Sequence, residues 1–75
     1  MSKQVVNVVQ VALQQLPEDL RSALTLREIE GLSYEEIAGI MNCPVGTVRS
    51  RIFRAREAVA QQLRPLLETS QDNRW

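Results

Sequence analysis

A chain of 75 residues has room for one domain. At that size folding hides only about 60% of the surface the unfolded chain exposes, so the fold has to be economical. Apolar residues make up 44% of the sequence and aromatics only 4%, so the core must come from Leu, Ile, Val and Ala, which suits packed helices better than a small sandwich. Nine basic residues balance nine acidic ones, and with one Cys and no His the chain offers neither an internal disulfide nor a zinc constellation.

Pro17, the Gly31-Leu32-Ser33 step and Cys43-Pro44 cut the chain into four helical stretches, an all-α plan. The first, residues 2–16, carries Val5, Val9, Ala12 and Leu16 at helical spacing, with Val6 and Leu13 widening the stripe. Its five valines lower intrinsic helix propensity, so tertiary packing has to hold it. Pro17 suits a first helical position because the N–H it lacks would be unpaired there, and Glu18 and Asp19 complement the positive end of the helix dipole. Leu20, Ala23, Leu24 and Leu26 give this second helix its apolar side, and Gly31 can take the left-handed conformation that closes it.

The start of the third helix is the clearest local signal. Ser33 and Glu36 form an S-x-x-E capping box, and Leu32 and Ile37 occupy the two staple positions around it. A short helix to about Met41 follows, after which Asn42 tolerates positive φ and Cys43-Pro44 stops the helix. Cys43 reads as a small apolar filler of the turn. From Val45 the series Val48, Ile52, Ala55, Val59, Leu63 marks a long helix with a narrow buried stripe, expected to end near Arg64 because Pro65 is disfavoured inside a helix. The domain is thus expected over residues 1–67, with 68–75 a flexible polar tail in which Trp75 is loose.

Residues 33–59 match the helix-turn-helix pattern: Ala38 is small where the second helix crosses closely, Asn42 supplies the turn, and Val48 plugs the space between the helices. At about 100° per residue, with Val48 at zero, Phe53 falls near 140°, Glu57 near 180°, Ser50 near 200° and Arg54 near 240°, all away from the core. Thr47 and Arg49 flank them at the end of the helix that meets base edges in a major groove. Arg54 can fork onto the O6 and N7 of a guanine, Ser50 can donate or accept, and Phe53 can lie against thymine methyls. Arg49, Arg51 and Arg56 are better placed for phosphates, which position a protein without reading sequence. Glu57 is expected to pair with Arg54 or Arg56, or to lie beyond the groove or accept from a cytosine amino group.

The zero net charge hides an uneven distribution. Glu18, Asp19, Glu28, Glu30, Glu35 and Glu36 crowd the middle of the chain against Arg21 and Arg27, whereas four arginines and no acid lie between Arg49 and Arg56. Such a patch is an electrostatic footprint of phosphate binding even on a neutral domain. No apolar run approaches the roughly 20 residues of a membrane span and no cleavable leader opens the chain, so a cytoplasmic protein without a membrane partner is expected. With no nucleophile paired to a base, no glycine-rich phosphate loop and no metal cluster, neither an enzyme, a cofactor nor a small-molecule substrate is expected.

The run LPEDLRSALTLREIEGLSYEEIAGIMNCPVGTVRSRIFRAREAV, residues 16–59, resembles region 4 of extracytoplasmic-function sigma factors of the sigma-E type, and the pairing of EGLSYEEIA with CPVGTVRSRIFRAR is specific to it. The resemblance implies a four-helix sigma region 4 domain that recognises the −35 promoter element, with Arg49, Ser50, Phe53 and Arg54 where that group contacts DNA. It further implies docking onto the flap of the RNA polymerase beta subunit and capture by an anti-sigma factor. Nothing in this sequence corresponds to the N-terminal domain with which such factors read the −10 element and bind core polymerase, so the chain reads as a fragment of a longer factor, the other reading being a freestanding single-domain protein that could not start transcription alone. Two other readings stay open: a response-regulator output domain, which would favour dimeric sites, and a protein-interaction module whose arginine face grips an acidic partner.

Overall fold

The computed structural model describes the backbone of residues 2–73 and the side chains of residues 2–66. Four helices follow in chain order: α1 (Lys3–Gln15), α2 (Glu18–Glu28), α3 (Tyr34–Met41) and α4 (Val45–Asn73). The last packs against each of the other three and α2 also meets α3. With 29 residues, α4 is about 43 Å long and accounts for most of the molecule's 47 Å length.

Each boundary has a local cause. Ser2 caps α1 by accepting the Val5 N–H at 3.1 Å. Pro17 is the N-cap of α2, one position before the first helical residue where the sequence suggests it, and its ψ of 150° hands an extended chain into the helix. Beyond α2 the Ile29 and Glu30 N–H groups both donate to Thr25 O, at 2.9 and 3.1 Å, and Leu32 N–H reaches Leu26 O at 3.1 Å. That closure needs Gly31 at φ +73°. Arg27 Nη1 donates to Leu32 O at 2.8 Å and ties the loop down.

The capping box of α3 forms as expected: Ser33 Oγ accepts the Glu36 N–H at 3.1 Å and Glu36 Oε1 accepts the Ser33 N–H at 2.9 Å. Donation from the Ser33 backbone, then from its side chain, holds the Glu36 carboxyl below the ordinary carboxylate range. At the other end Asn42 adopts φ 55° and ψ 52°, and the N–H groups of Asn42 and Cys43 both reach Ala38 O. The chain then reverses through Pro44, whose carbonyl accepts from Thr47 and Val48 at 3.0 and 3.2 Å to open α4.

The core is one cluster of Leu16, Ala23, Leu24, Ile37, Val48, Ile52 and Ala55, with Leu13, Leu20, Leu26, Leu32, Ala38 and Val59 partly buried around it. Ala23, Ile37, Val48 and Ala55 are wholly enclosed. Two expectations are corrected. Val6, read as part of the α1 stripe, is exposed, because α1 packs chiefly on α4 and a single helix neighbour covers a narrower strip. More consequentially, α4 does not end near Arg64 but carries Pro65 inside it and continues to Asn73. Proline removes the hydrogen bond to the Gln61 carbonyl, yet Gln61 and Pro65 are both exposed, so water can satisfy that carbonyl and the helix proceeds. Residues 68–73 continue it, whereas Arg74 and Trp75 lie outside the described residues.

Replacing Ser33 by Ala is expected to cost about 1 kcal/mol through the lost cap, a fall of roughly 4–8 °C in the melting temperature of a domain this size. Because the folded pKa of Glu36 lies below its unfolded value, its contribution is present above the ordinary carboxylate range and is lost as pH falls through the lowered folded value. The melting-temperature gap between the wild type and Glu36→Ala therefore narrows on acidification; a gap independent of pH contradicts the ionised capping box. Arg56 and Glu28, which join α4 to the end of α2, are each about half exposed. A double-mutant cycle on this pair is expected to return a coupling of no more than about 1 kcal/mol that shrinks with added salt.

Candidate nucleic-acid interface

With Val48, Ile52 and Ala55 turned into the core, helical geometry sends Ser50, Phe53, Arg54 and Glu57 outward, and all four are exposed along with Arg49. Phe53 is 68% exposed, so it is not a core residue lent to α1. Arg49, Ser50, Phe53 and Arg54 line one shallow depression. Ser50 and Arg54 also line the next, which is completed by Gly46, Thr47, Arg51 and, from α2, Asp19. Six of the seven residues expected at the site, Thr47, Arg49, Ser50, Arg51, Phe53 and Arg54, therefore form one continuous surface at the N-terminal half of α4.

The arginines on this surface differ in what they hold. Arg49 lies over the Tyr34 ring at 5.4 Å, and Arg27 of α2 lies over the same ring at 4.8 Å. Arg51 meets Asp19 of α2, Nε to Oδ2, at 3.6 Å, and its Nη1 lies 3.7 Å from Cys43 Sγ. Arg56, the seventh expected residue, lies outside both depressions; it donates Nε to Glu28 Oε1 at 2.9 Å, and its Nη2 reaches the same oxygen. Among the described residues no ion pair joins Glu57 to Arg54 or Arg56, so the pairing expected for it is not made: the Arg56 guanidinium has turned to α2 instead.

The structure adds four side chains to this neighbourhood that sequence reasoning did not place there: Asp19, Arg27, Glu28 and Tyr34. Asp19 reads in the sequence as a complement to a helix dipole and as one of the central acids, and no spacing rule brings it or Tyr34 beside α4. The contrast between the acids of α2 and the arginines of α4 is visible in the sequence and signals that some pairing occurs, but not which partners meet. Chemically the surface offers guanidinium forks, two hydroxyls and an apolar ring, which suits recognition of a partner that combines anionic groups with flat polar edges. Among the described residues no helix is long and apolar enough to cross a membrane.

Comparison with known proteins agrees with this geometry. The family model for sigma-70, region 4, matches residues 7–59, which include α2, α3 and the whole outward surface of α4 just described. RNA polymerase sigma-H factor of Pseudomonas aeruginosa is 78% identical over 55 residues, covering 73% of this chain and 28% of that protein. ECF RNA polymerase sigma-E factor of Escherichia coli is 61% identical over 67 residues, covering 89% of this chain and 35% of that protein. The same identity and coverage are found with the sigma-E factor of Salmonella typhimurium. The chain thus spans about a third of the length of these relatives. Since the match takes in the turn between α3 and α4 together with most of the chain, the protein belongs to the sigma-70 region 4 family.

Proposed function

We propose that this chain is the promoter-reading domain of an extracytoplasmic-function sigma factor, acting in transcription initiation by laying α4 into the major groove of the −35 element. The observation that carries the proposal is the exposure of Ser50, Phe53 and Arg54 together, on the side of α4 opposite a fully buried stripe. Arg54 forks onto a guanine, a contact worth roughly 1–3 kcal/mol of discrimination. Ser50 bonds a neighbouring base edge, Phe53 lies against thymine methyls or sugar, and Thr47 meets the duplex at the helix start. Backbone phosphate falls first to Arg49, which no carboxylate holds among the described ion pairs, whereas Arg51 and Arg56 are paired in the free chain. The activity is binding rather than catalysis, and its setting is the cytoplasm. RNA polymerase core is a partner through the beta flap and an anti-sigma factor through capture, as the sigma-E type resemblance implies. A groove between α2 and α3 that joins the apolar Leu26, Ile40 and Met41 to polar residues of α2, with Ile40 62% exposed, supports a protein partner.

Selection from a pool of random duplexes is expected to enrich one short motif bound by one chain. Arg54→Ala then loses discrimination at a single guanine, and Arg49→Ala weakens all sequences about equally. Two chains on each minimal site point instead to a dimeric response-regulator type. An affinity that barely changes with salt argues for a protein-only interface, because several phosphate contacts make log affinity fall steeply with log salt.

A further inference from the structure

We propose that Asp19 sets the strength of sequence-independent DNA binding by withholding Arg51 from the phosphate backbone. The inference rests on the DNA-binding reading above and deepens it. Asp19 sits in the first turn of α2 but borders the outward surface of α4, in the depression formed by Gly46, Thr47, Ser50, Arg51 and Arg54. One carboxylate oxygen accepts the Leu20 N–H at 2.9 Å, which fixes the carboxylate against its own helix. The other faces Arg51 Nε at 3.6 Å. On its far side the Arg51 guanidinium meets the Cys43 sulfur, so it is held toward the protein at two points.

An acid at the rim of an arginine surface has two effects on a duplex. It neutralises the guanidinium it faces, and it repels any phosphate that approaches the same spot. Arg51 is thereby held as a strut between α2 and α4 in preference to a phosphate, while Thr47 beside it still meets the duplex. Neither Arg49 nor Arg54 makes such a pair among the described residues, so the withholding is selective. Binding that ignores sequence is supplied by phosphates, and each one engaged adds about 0.9 to the salt slope. Freeing Arg51 lets the chain grip one more phosphate on any duplex. On the preferred duplex, where base contacts fix the register, the gain is no larger.

The test uses this chain with the duplex enriched by selection and a shuffled duplex of equal composition, binding being measured across a salt series. Asp19→Asn is expected to tighten binding to the shuffled duplex by about fivefold at low salt and to steepen its slope by about 0.9. The ratio of enriched to shuffled affinity does not rise. Arg51→Gln alone leaves the slope unchanged, and Asp19→Asn added to Arg51→Gln no longer steepens it. Glu18→Gln removes the same charge one position away and changes shuffled binding by less than about twofold. The proposal is overturned by an unchanged slope in Asp19→Asn, by the same steepening in the Arg51→Gln background, or by an equal effect of Glu18→Gln. Weaker binding to the enriched duplex by a variant that melts like the wild type also overturns it, since Asp19 is then a direct contact. If the wild type prefers the enriched duplex, failure of these outcomes sinks the inference alone; a wild type that binds neither duplex sinks the DNA-binding reading with it.

Discussion

Everything outward on this protein depends on a narrow inward stripe. Val48, Ile52 and Ala55 are buried together and face Ile37 of α3 and Ala23 and Leu24 of α2 within one cluster. Three residues spaced by four and three occupy a small part of the circumference of α4, and the side that carries Arg49, Ser50, Phe53, Arg54 and Glu57 faces solvent. A broader stripe would have drawn Phe53 or Ser50 inward and left less surface for a partner. The small aromatic content of the chain has the same consequence, for a core built from Leu, Ile, Val and Ala leaves its one Phe outside.

The turn before α4 fixes the direction in which that surface points. Asn42 at positive φ and Pro44 at the head of the next helix set the crossing of α3 and α4, and Ala38, whose carbonyl accepts both turn N–H groups, anchors the geometry. Because α4 also packs on α1 and α2, the crossing is braced from more than one side. A surface held in this way needs little further ordering to meet a ligand, and preorganisation of that kind lowers the cost of binding in general.

The local part of this design could be read in the sequence and the long-range part could not. Capping at Ser33, the left-handed Asn42 and Gly31, and the spacing of the α4 stripe all involve residues within a few positions of one another, and each is found where the chain suggests it. Six of the seven expected site residues likewise share a surface, since a helix wheel suffices to place them. Pro65 misleads because its cost depends on whether the carbonyl one turn earlier can reach water, a property of the fold and not of the proline. The fates of Arg51 and Arg56 escape for a related reason: Glu28 stands 28 residues from Arg56, and no spacing rule pairs positions on different helices.

Those pairings also explain how a chain with no net charge can present an arginine surface at all. The acids of α2 do not neutralise α4 evenly. Asp19 and Glu28 each take one arginine at the flank, and Arg49 and Arg54 remain without a carboxylate among the described ion pairs. Unpaired positive charge is therefore concentrated at Arg49 and Arg54, beside Ser50 and Phe53, and is offset at Arg51 and Arg56. Arg49 stacks on Tyr34, a platform that orients the guanidinium without cancelling its charge, whereas Arg51 and Arg56 are oriented by partners that do cancel it. Orientation by an aromatic ring and orientation by a carboxylate thus have opposite electrostatic outcomes, and this chain uses each at a different arginine of the same helix.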